Sequence, residues 1–302
     1  MSKIMVTHIS DPGCPWAYSG LPAISALQWR YREQLDWRTV TIGLAEDGAQ
    51  YEDRGYTPAY MVAGIRFGRF GMPFSFTPRS RILGTGRACR TIVAARLEDP
   101  GLAHLALRAL HFAWFTTNLL LDEDEAIKAA LAPEPSLDEE RLVARIEDAD
   151  VEAAYQEDRA TARTAAGSAA ALQGKTASTD GLERFTAPTL IFEHGDSRFI
   201  AGGHQPLEAH DVVIANLDPQ LKREPEPDSP LPLLEHFPHG LTTREVSTML
   251  AEVNEEADDA AARELLVELA DEGRAASVAY GDDALWLTPD AAAARGALVS
   301  AG

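Results

Sequence analysis

Residues 10–24 read SDPGCPWAYSGLPAI, directly after the run KIMVTHI at 3–9. The alternation of that run predicts a strand, and Ile24, Leu27, Tyr31 and Leu35 fall on one face of a helix behind it. A second alternating run, DWRTVTI at 36–42, completes a β-α-β unit with Cys14 at its first strand-to-helix turn. Pro15 suits the first helical turn, where its missing N–H has no partner to lose. Cys14-Pro15-Trp16 begins as a redox dithiol begins. The position that should carry the second cysteine holds Ala17.

The thiolate is the nucleophilic form of cysteine, and the free N–H groups and dipole of a helix N-terminus lower the pKa of a thiol there. The expectation is therefore a depressed pKa at Cys14, beside the flat apolar surface of Trp16. The bland alternative is a small buried residue at a turn. A second segment, FTAPTLIF at 185–192, places Pro188 at the entrance to a buried strand. Proline there removes a ladder donor and suits a cis bond, which would expose the Ala187 backbone to an extended substrate beside Cys14. An ordinary trans proline at a strand edge is the alternative.

From about 57 to 180 the signals are helical, in RACRTIVAARL, GLAHLALRALHFAWFTTNLL and LDEERLVARIEDADVEAAYQEDRATARTAAGSAAAL. TLIFE (189–193) and SRFIA (197–201) read as strands around a short HGD turn, and HQPLEAHDVVIANL closes with a helix. The order β-α-β, helical insert, β-β-α predicts an α/β protein. Its expected form is a thioredoxin-like fold over 1–221 with a large all-helical insertion. KREPEPDSPLPL at 222–233, with four prolines, suits a linker. Residues 234–302 then read helix, helix, hairpin, a small winged-helix-like domain whose first helix starts with Thr242 or Thr243 ahead of Glu245.

Charge limits the partners. The 302 residues carry a formal net charge of −20, and 234–302 hold 14 acidic against 4 basic side chains. Such a surface repels phosphate backbones and anionic lipid, so neither nucleic acid nor membrane is an expected partner, and packing or homodimerisation is the expectation for the tail. No run approaches the roughly 20 apolar residues of a membrane span. No secretory signal precedes the motif, and two cysteines make no disulfide framework, so the expected compartment is cytoplasmic. Gly-rich phosphate loops, HExxH and GxSxG are missing from the sequence, which removes the nucleotide, zincin and serine-hydrolase readings.

The succession DP-x-CPW-x-Y, T-x-x-A-x-R, FAWFT, APTLIF and AGGHQP resembles the DsbA-like thioredoxin-fold oxidoreductases. The nearest branch is the FrnE type, which grades into the 2-hydroxychromene-2-carboxylate isomerases and kappa-class glutathione transferases. The resemblance spans about residues 3–217. It implies a helical lid over the active site, Cys14 as nucleophile and Pro188 as the cis-proline. Two positions depart from the branch: Ala17 replaces the second cysteine of CPWC, and Cys89 in GTGRACR stands where the family commonly has histidine. Cys89 is thus a candidate second thiol, provided its Cα comes within about 7 Å of that of Cys14. The alternative is a core residue beside Ile92 and Val93.

The expected activity is thiol–disulfide exchange through one cysteine, on a small-molecule or protein disulfide. A small thiol such as glutathione or mycothiol would be co-substrate, with no tightly bound cofactor. Isomerase or transferase chemistry with a bound thiol is the second reading, and binding on a degenerate thioredoxin fold the third. Pro15, Trp16, Ala187, Pro188 and His204 are the expected substrate- or thiol-binding residues. Asp11 is read as a turn cap or a group that perturbs the thiol, and His111 as a polar helix position or lid residue. His236 and His239 lack a third ligand, so no metal is expected.

Overall fold

The structure, a computed structural model, describes residues 3–57, 63–75 and 77–296. A four-stranded sheet has the order β2-β1-β5-β6, from β1 (Ile4–Ser10), β2 (Leu35–Thr41), β5 (Thr189–His194) and β6 (Ser197–Ala201). The central strand β1 runs parallel to β2 and antiparallel to β5. Pairing Ile9 with Thr189 brings the chain leaving β1 and the chain entering β5 to one end of the sheet. Helices Pro15–Ser19 and Leu21–Tyr31 form the crossover from β1 to β2. The insertion packs helices Gly86–Glu98 and Leu102–Thr116 with three further helices, Asp124–Leu131, Glu139–Ala144 and Ala149–Ala162.

Three details differ from the sequence reading. The long run expected at 137–172 breaks into Glu139–Ala144, Ala149–Ala162 and Ala169–Leu172, because Asp148 is extended at the second helix start and Gly167 has φ of 71°. Two short strands, β3 (Thr176–Ala177) and β4 (Arg184–Phe185), pair antiparallel just ahead of Pro188. A 3₁₀ segment, Ala63–Phe70, was not foreseen either.

Past residue 230 come the Leu231–His236 helix, β7 (Leu241–Thr242), helices Thr243–Leu250 and Asp259–Asp271, and the hairpin β8 (Ala276–Tyr280) and β9 (Asp283–Leu287). The hydrophobic core is continuous across the proline-rich boundary. Val6, Leu27 and Phe192 share one cluster with Leu234, Val246, Leu266 and Trp286. The proline-rich segment itself is tied down, since Glu224 N donates to Arg30 O at 2.8 Å and Trp29 Nε1 to Pro225 O at 3.1 Å.

One buried ion pair joins the tail to the insertion. Arg108 Nη1 and Nη2 donate to Glu245 Oε1 and Oε2 at 2.6 and 2.7 Å, and Ser25 Oγ adds a third bond at 2.7 Å. Glu245 also closes a capping box with Thr242. Burial alone would push the Glu245 carboxyl up, but Arg108 and these donors hold it below the usual carboxylate range. Removing one partner of such a pair leaves a bare buried charge. Glu245→Ala should therefore cost about 3–5 kcal/mol in urea unfolding, and Arg108→Met with Glu245→Leu should cost less than either single change. Additive losses would contradict this account.

Buried histidines set the acid behaviour. Burial, helped by neighbouring cationic groups, holds His8 down to about 3 and His104, His111 and His210 to about 4, from an ordinary 6.5. The unfolded chain takes up these protons below about 6.5 and the folded chain does not, so stability falls with pH from about 6.5 toward about 4. Each histidine adds a slope of up to ~1.4 kcal/mol per pH unit. The urea midpoint should drop steadily over that window; a flat midpoint would refute the assignment.

Candidate active site

The turn after β1 is built by Asp11. Its Oδ1 accepts from Gly13 N at 3.0 Å and its carbonyl from Cys14 N at 3.0 Å, which sets Cys14 as the N-cap of the Pro15–Ser19 helix. Gly13 is required by close approach: a Cβ there would stand 2.6 Å from Thr85 Cγ2 and 3.1 Å from the Trp114 ring. The Ala187–Pro188 peptide is cis, and the Cys14 thiol donates to Ala187 O at 3.4 Å. Cys14, Pro15, Ala187 and Pro188 thus converge, as the antiparallel register of β1 and β5 dictates. Ala17 lies one helical turn past Cys14, 1% exposed.

Trp16 is 40% exposed, with ring contacts at 5.0 Å to Phe67, 5.5 Å to Phe70 and 5.8 Å to His204. His204 is therefore at the site, and burial lowers its pKa. A cavity of about 270 Å³ opens against Gly13, Pro15 and Trp16, with Tyr51, Phe74 and Trp114 among its walls.

The expected depression of the Cys14 pKa is overturned. Burial pushes the thiol up to about 11; the helix-start N–H groups of Ala17 and Trp16 pull it down, and Asp11 pushes it further up. The helix it caps has only five residues, and Cys14 is 7% exposed. Desolvation of the charged form outweighs what so short a helix returns.

Asp11 is fully buried, and its Oδ2 accepts from Leu44 N at 2.9 Å, from Thr85 Oγ1 at 3.1 Å and from the Cys89 thiol at 3.6 Å. Burial raises its pKa against these three donors and Gly13 N. Cys89 is fully buried in the insertion core with Ile92 and Val93. Both thiols are free and no bridge joins them. His111 lies beneath the same turn, its Nε2 3.0 Å from Asp11 O. His236 and His239 pack instead against Trp29 and His104 in the tail interface. The sequence reading missed Thr85, although it lies within the quoted GTGRACR segment, and it missed Tyr51 and Arg184, which carry no motif.

Asp11→Ala would leave the Gly13 and Leu44 N–H groups without their acceptor inside the core. The cost should be roughly 2–4 kcal/mol in unfolding experiments. Asp11→Asn keeps one acceptor, should cost less, and should speed Cys14 alkylation because a charge opposing the thiolate is gone. Slower alkylation of the Asn variant would contradict this.

The geometry can be set against known proteins. No curated protein matches the chain. Three solved structures share its fold. A protein provisionally assigned as a disulfide isomerase from Nitrosomonas europaea is 20% identical, with TM-score 0.52, and 71% of this chain covers 97% of that one. The cytosolic disulfide reductase DsbM from Pseudomonas aeruginosa is 17% identical, with TM-score 0.51 and coverage of 70% and 98%. A provisionally assigned DsbA oxidoreductase from Streptomyces coelicolor is 18% identical, with TM-score 0.52 and coverage of 72% and 91%. At such identities the likeness shows the fold alone. The family described as the DSBA-like thioredoxin domain matches residues 5–166, more than half of the sequence and including the whole Asp11–Cys14 turn. The chain belongs to the DSBA-like thioredoxin domain family.

Proposed function

We propose that the protein is a thiol–disulfide oxidoreductase working through Cys14 alone, with an external small thiol in place of a resolving cysteine. The observation that carries this reading is the 3.4 Å contact of the Cys14 thiol with Ala187 O, beside a cis-Pro188. A disulfide lying extended against Ala187 would meet the sulfur there. Deprotonated Cys14 attacks one sulfur of the substrate, the S–S bond breaks, and the departing thiolate takes up a proton. A second thiolate, from a molecule such as glutathione or mycothiol, then attacks the adduct, releases Cys14 and leaves as a new disulfide. Oxidation state is exchanged between the two disulfides, and no other oxidant is needed. The cavity of about 270 Å³ beside Trp16 offers room for the small partner; Pro15 lines it, and His204 packs against Trp16.

A thiol pushed up to about 11 is ionised at only about one part in ten thousand at pH 7. Attack should therefore accelerate about tenfold per pH unit up to that value. The same observation favours a second reading. With Cys14 mostly protonated, the reactive sulfur in this reading belongs to a thiol bound in the cavity, as a thiol-dependent isomerase or transferase requires. Turnover of a small-thiol mixed disulfide supports the first reading; tight thiol binding by calorimetry without turnover supports the second.

Ala17→Cys separates the single-cysteine mechanism from any hidden second thiol. A sulfur one helical turn from Cys14 resolves the adduct intramolecularly, at an effective concentration no dilute thiol matches. Intact-mass spectrometry should show a long-lived mixed disulfide on the native chain, and the variant should lose it and gain oxidase activity on reduced, unfolded protein. Native protein that already oxidises such substrates catalytically would sink the single-cysteine mechanism and implicate Cys89.

A further inference from the structure

Four arginines are buried among the described residues, and three are satisfied in evident ways. Arg30 pairs with Asp211 and Glu226, Arg108 pairs with Glu245, and Arg79 donates to the carbonyls of Ala113, Trp114, Thr117 and Leu119 at the end of the Leu102–Thr116 helix. Arg184 is different. It is 7% exposed, and its bonds go to two neutral oxygens, Thr179 Oγ1 at 3.2 Å and Phe185 O at 3.0 Å. No carboxylate forms an ion pair with it among the described residues. Asp180, the acid on the adjoining loop, is taken by Arg159 and Arg163. A buried guanidinium outside any ion pair costs stability, and an anion forming beside it would offset that cost.

The fold brings the backbone of this residue near the Cys14 turn. Arg184 is on β4, directly before Phe185, which shares a hydrophobic cluster with Cys14 and Ala187. Three residues on comes the Ala187 carbonyl that receives the Cys14 thiol. We propose that Arg184 is the counter-charge of the Cys14 thiolate, a buried cation left unpaired in the resting protein and neutralised when the sulfur ionises. The proposal rests on the reading of Cys14 as nucleophile. Arg184 acts through its field, as a positioning residue for charge, and exchanges no electrons or protons.

The surrounding groups agree in sign. Arg184 pulls the Cys14 thiol down while burial and Asp11 push it up. Burial lowers the pKa of Arg184 itself, and Asp11, Cys14 and Tyr51 oppose that shift while Arg163 adds to it. Tyr51, facing both Asp11 and Cys14, is held neutral by burial. Asp11, whose pKa burial raises, also acts on Arg184 without forming an ion pair with it.

The test is the rate of Cys14 alkylation by iodoacetamide between pH 7 and 10, located by peptide mass spectrometry, in the native chain, Arg184→Gln and Arg184→Lys. The native rate should climb about tenfold per pH unit. Arg184→Gln should keep that slope but run about tenfold slower at each pH, equivalent to a rise of about one pKa unit, and Arg184→Lys should stay within about threefold of native. A purely structural role predicts the opposite sign, because loosening the turn exposes the sulfur and speeds labelling. Unchanged or faster labelling of folded Arg184→Gln, or an equal loss in Arg184→Lys, overturns the proposal while leaving Cys14 as the nucleophile. Native Cys14 that stays unlabelled throughout, yet labels when the chain is denatured, overturns both readings. Should the Gln variant be unfolded by circular dichroism, the Lys variant decides: a rate near native supports the counter-charge, and a tenfold change in either direction rejects it.

Discussion

The Asp11 carboxylate is the constraint on which the site depends. Fully buried, it collects Gly13 N, Leu44 N, Thr85 Oγ1 and the Cys89 thiol, while its own carbonyl takes Cys14 N and faces His111. Those donors come from the turn after β1, the chain leaving β2 and the start of the Gly86–Glu98 helix. A single side chain therefore locks the Cys14 turn to the sheet and to the insertion. The geometry has an electrostatic consequence, since a carboxylate under a buried thiol opposes its ionisation. Ionisation of Cys14 is then set first by burial, with the helix-start N–H groups and, after them, Arg184 drawing the thiol down.

The acidic tail is part of this arrangement. Its hairpin packs Leu285 and Leu287 into a cluster with Tyr18, Phe67, Met72 and Phe74. Tyr18 belongs to the helix headed by Cys14, and it donates to Pro73 O at 2.7 Å. Asp282 accepts from Phe74 N at 2.8 Å, so the hairpin tip holds a wall of the cavity beside Trp16. The Arg108–Glu245 pair secures the other side of the same contact. Burial of apolar surface supplies the affinity here, and the ion pair selects the register, because a misplaced tail would strand both charges in the core.

Much of the fold was legible because period and punctuation are local. β1 and β2 follow alternation, β5 and β6 flank the short HGD turn, the Leu21–Tyr31 and Leu207–Leu217 helices follow helical spacing, and the Thr242–Glu245 cap is readable in four residues. Cys14, Trp16, Ala187 and Pro188 were legible as parts of one site because the order of motifs implies which ends of which strands meet. His204 joined them as the start of a helix whose place that order also implies. The breaks in the 137–172 run turn on the backbone at Asp148 and Gly167, which helical spacing does not reveal, and each of the two short strands depends on its partner across the pair.

What the sequence by itself determined, then, is the strand and helix order, the single cysteine at the turn and the missing partner at Ala17. These depend on residue type and near neighbours. Only the tertiary structure decided the charge state of the site. A helix-terminus rule puts the Cys14 pKa low, yet burial sets it near 11, and burial is a property of everything packed around the sulfur. Cys89 could be read as a second thiol or a core residue, and the fold seats it in the core against Asp11. Glu245 is a helix cap in the sequence and also the partner of Arg108 in space. Arg184 is unremarkable as a letter in a row. Its burial outside any ion pair among the described residues becomes visible only when folding removes water, because the energy of a charge is set by distant neighbours and by the dielectric they create.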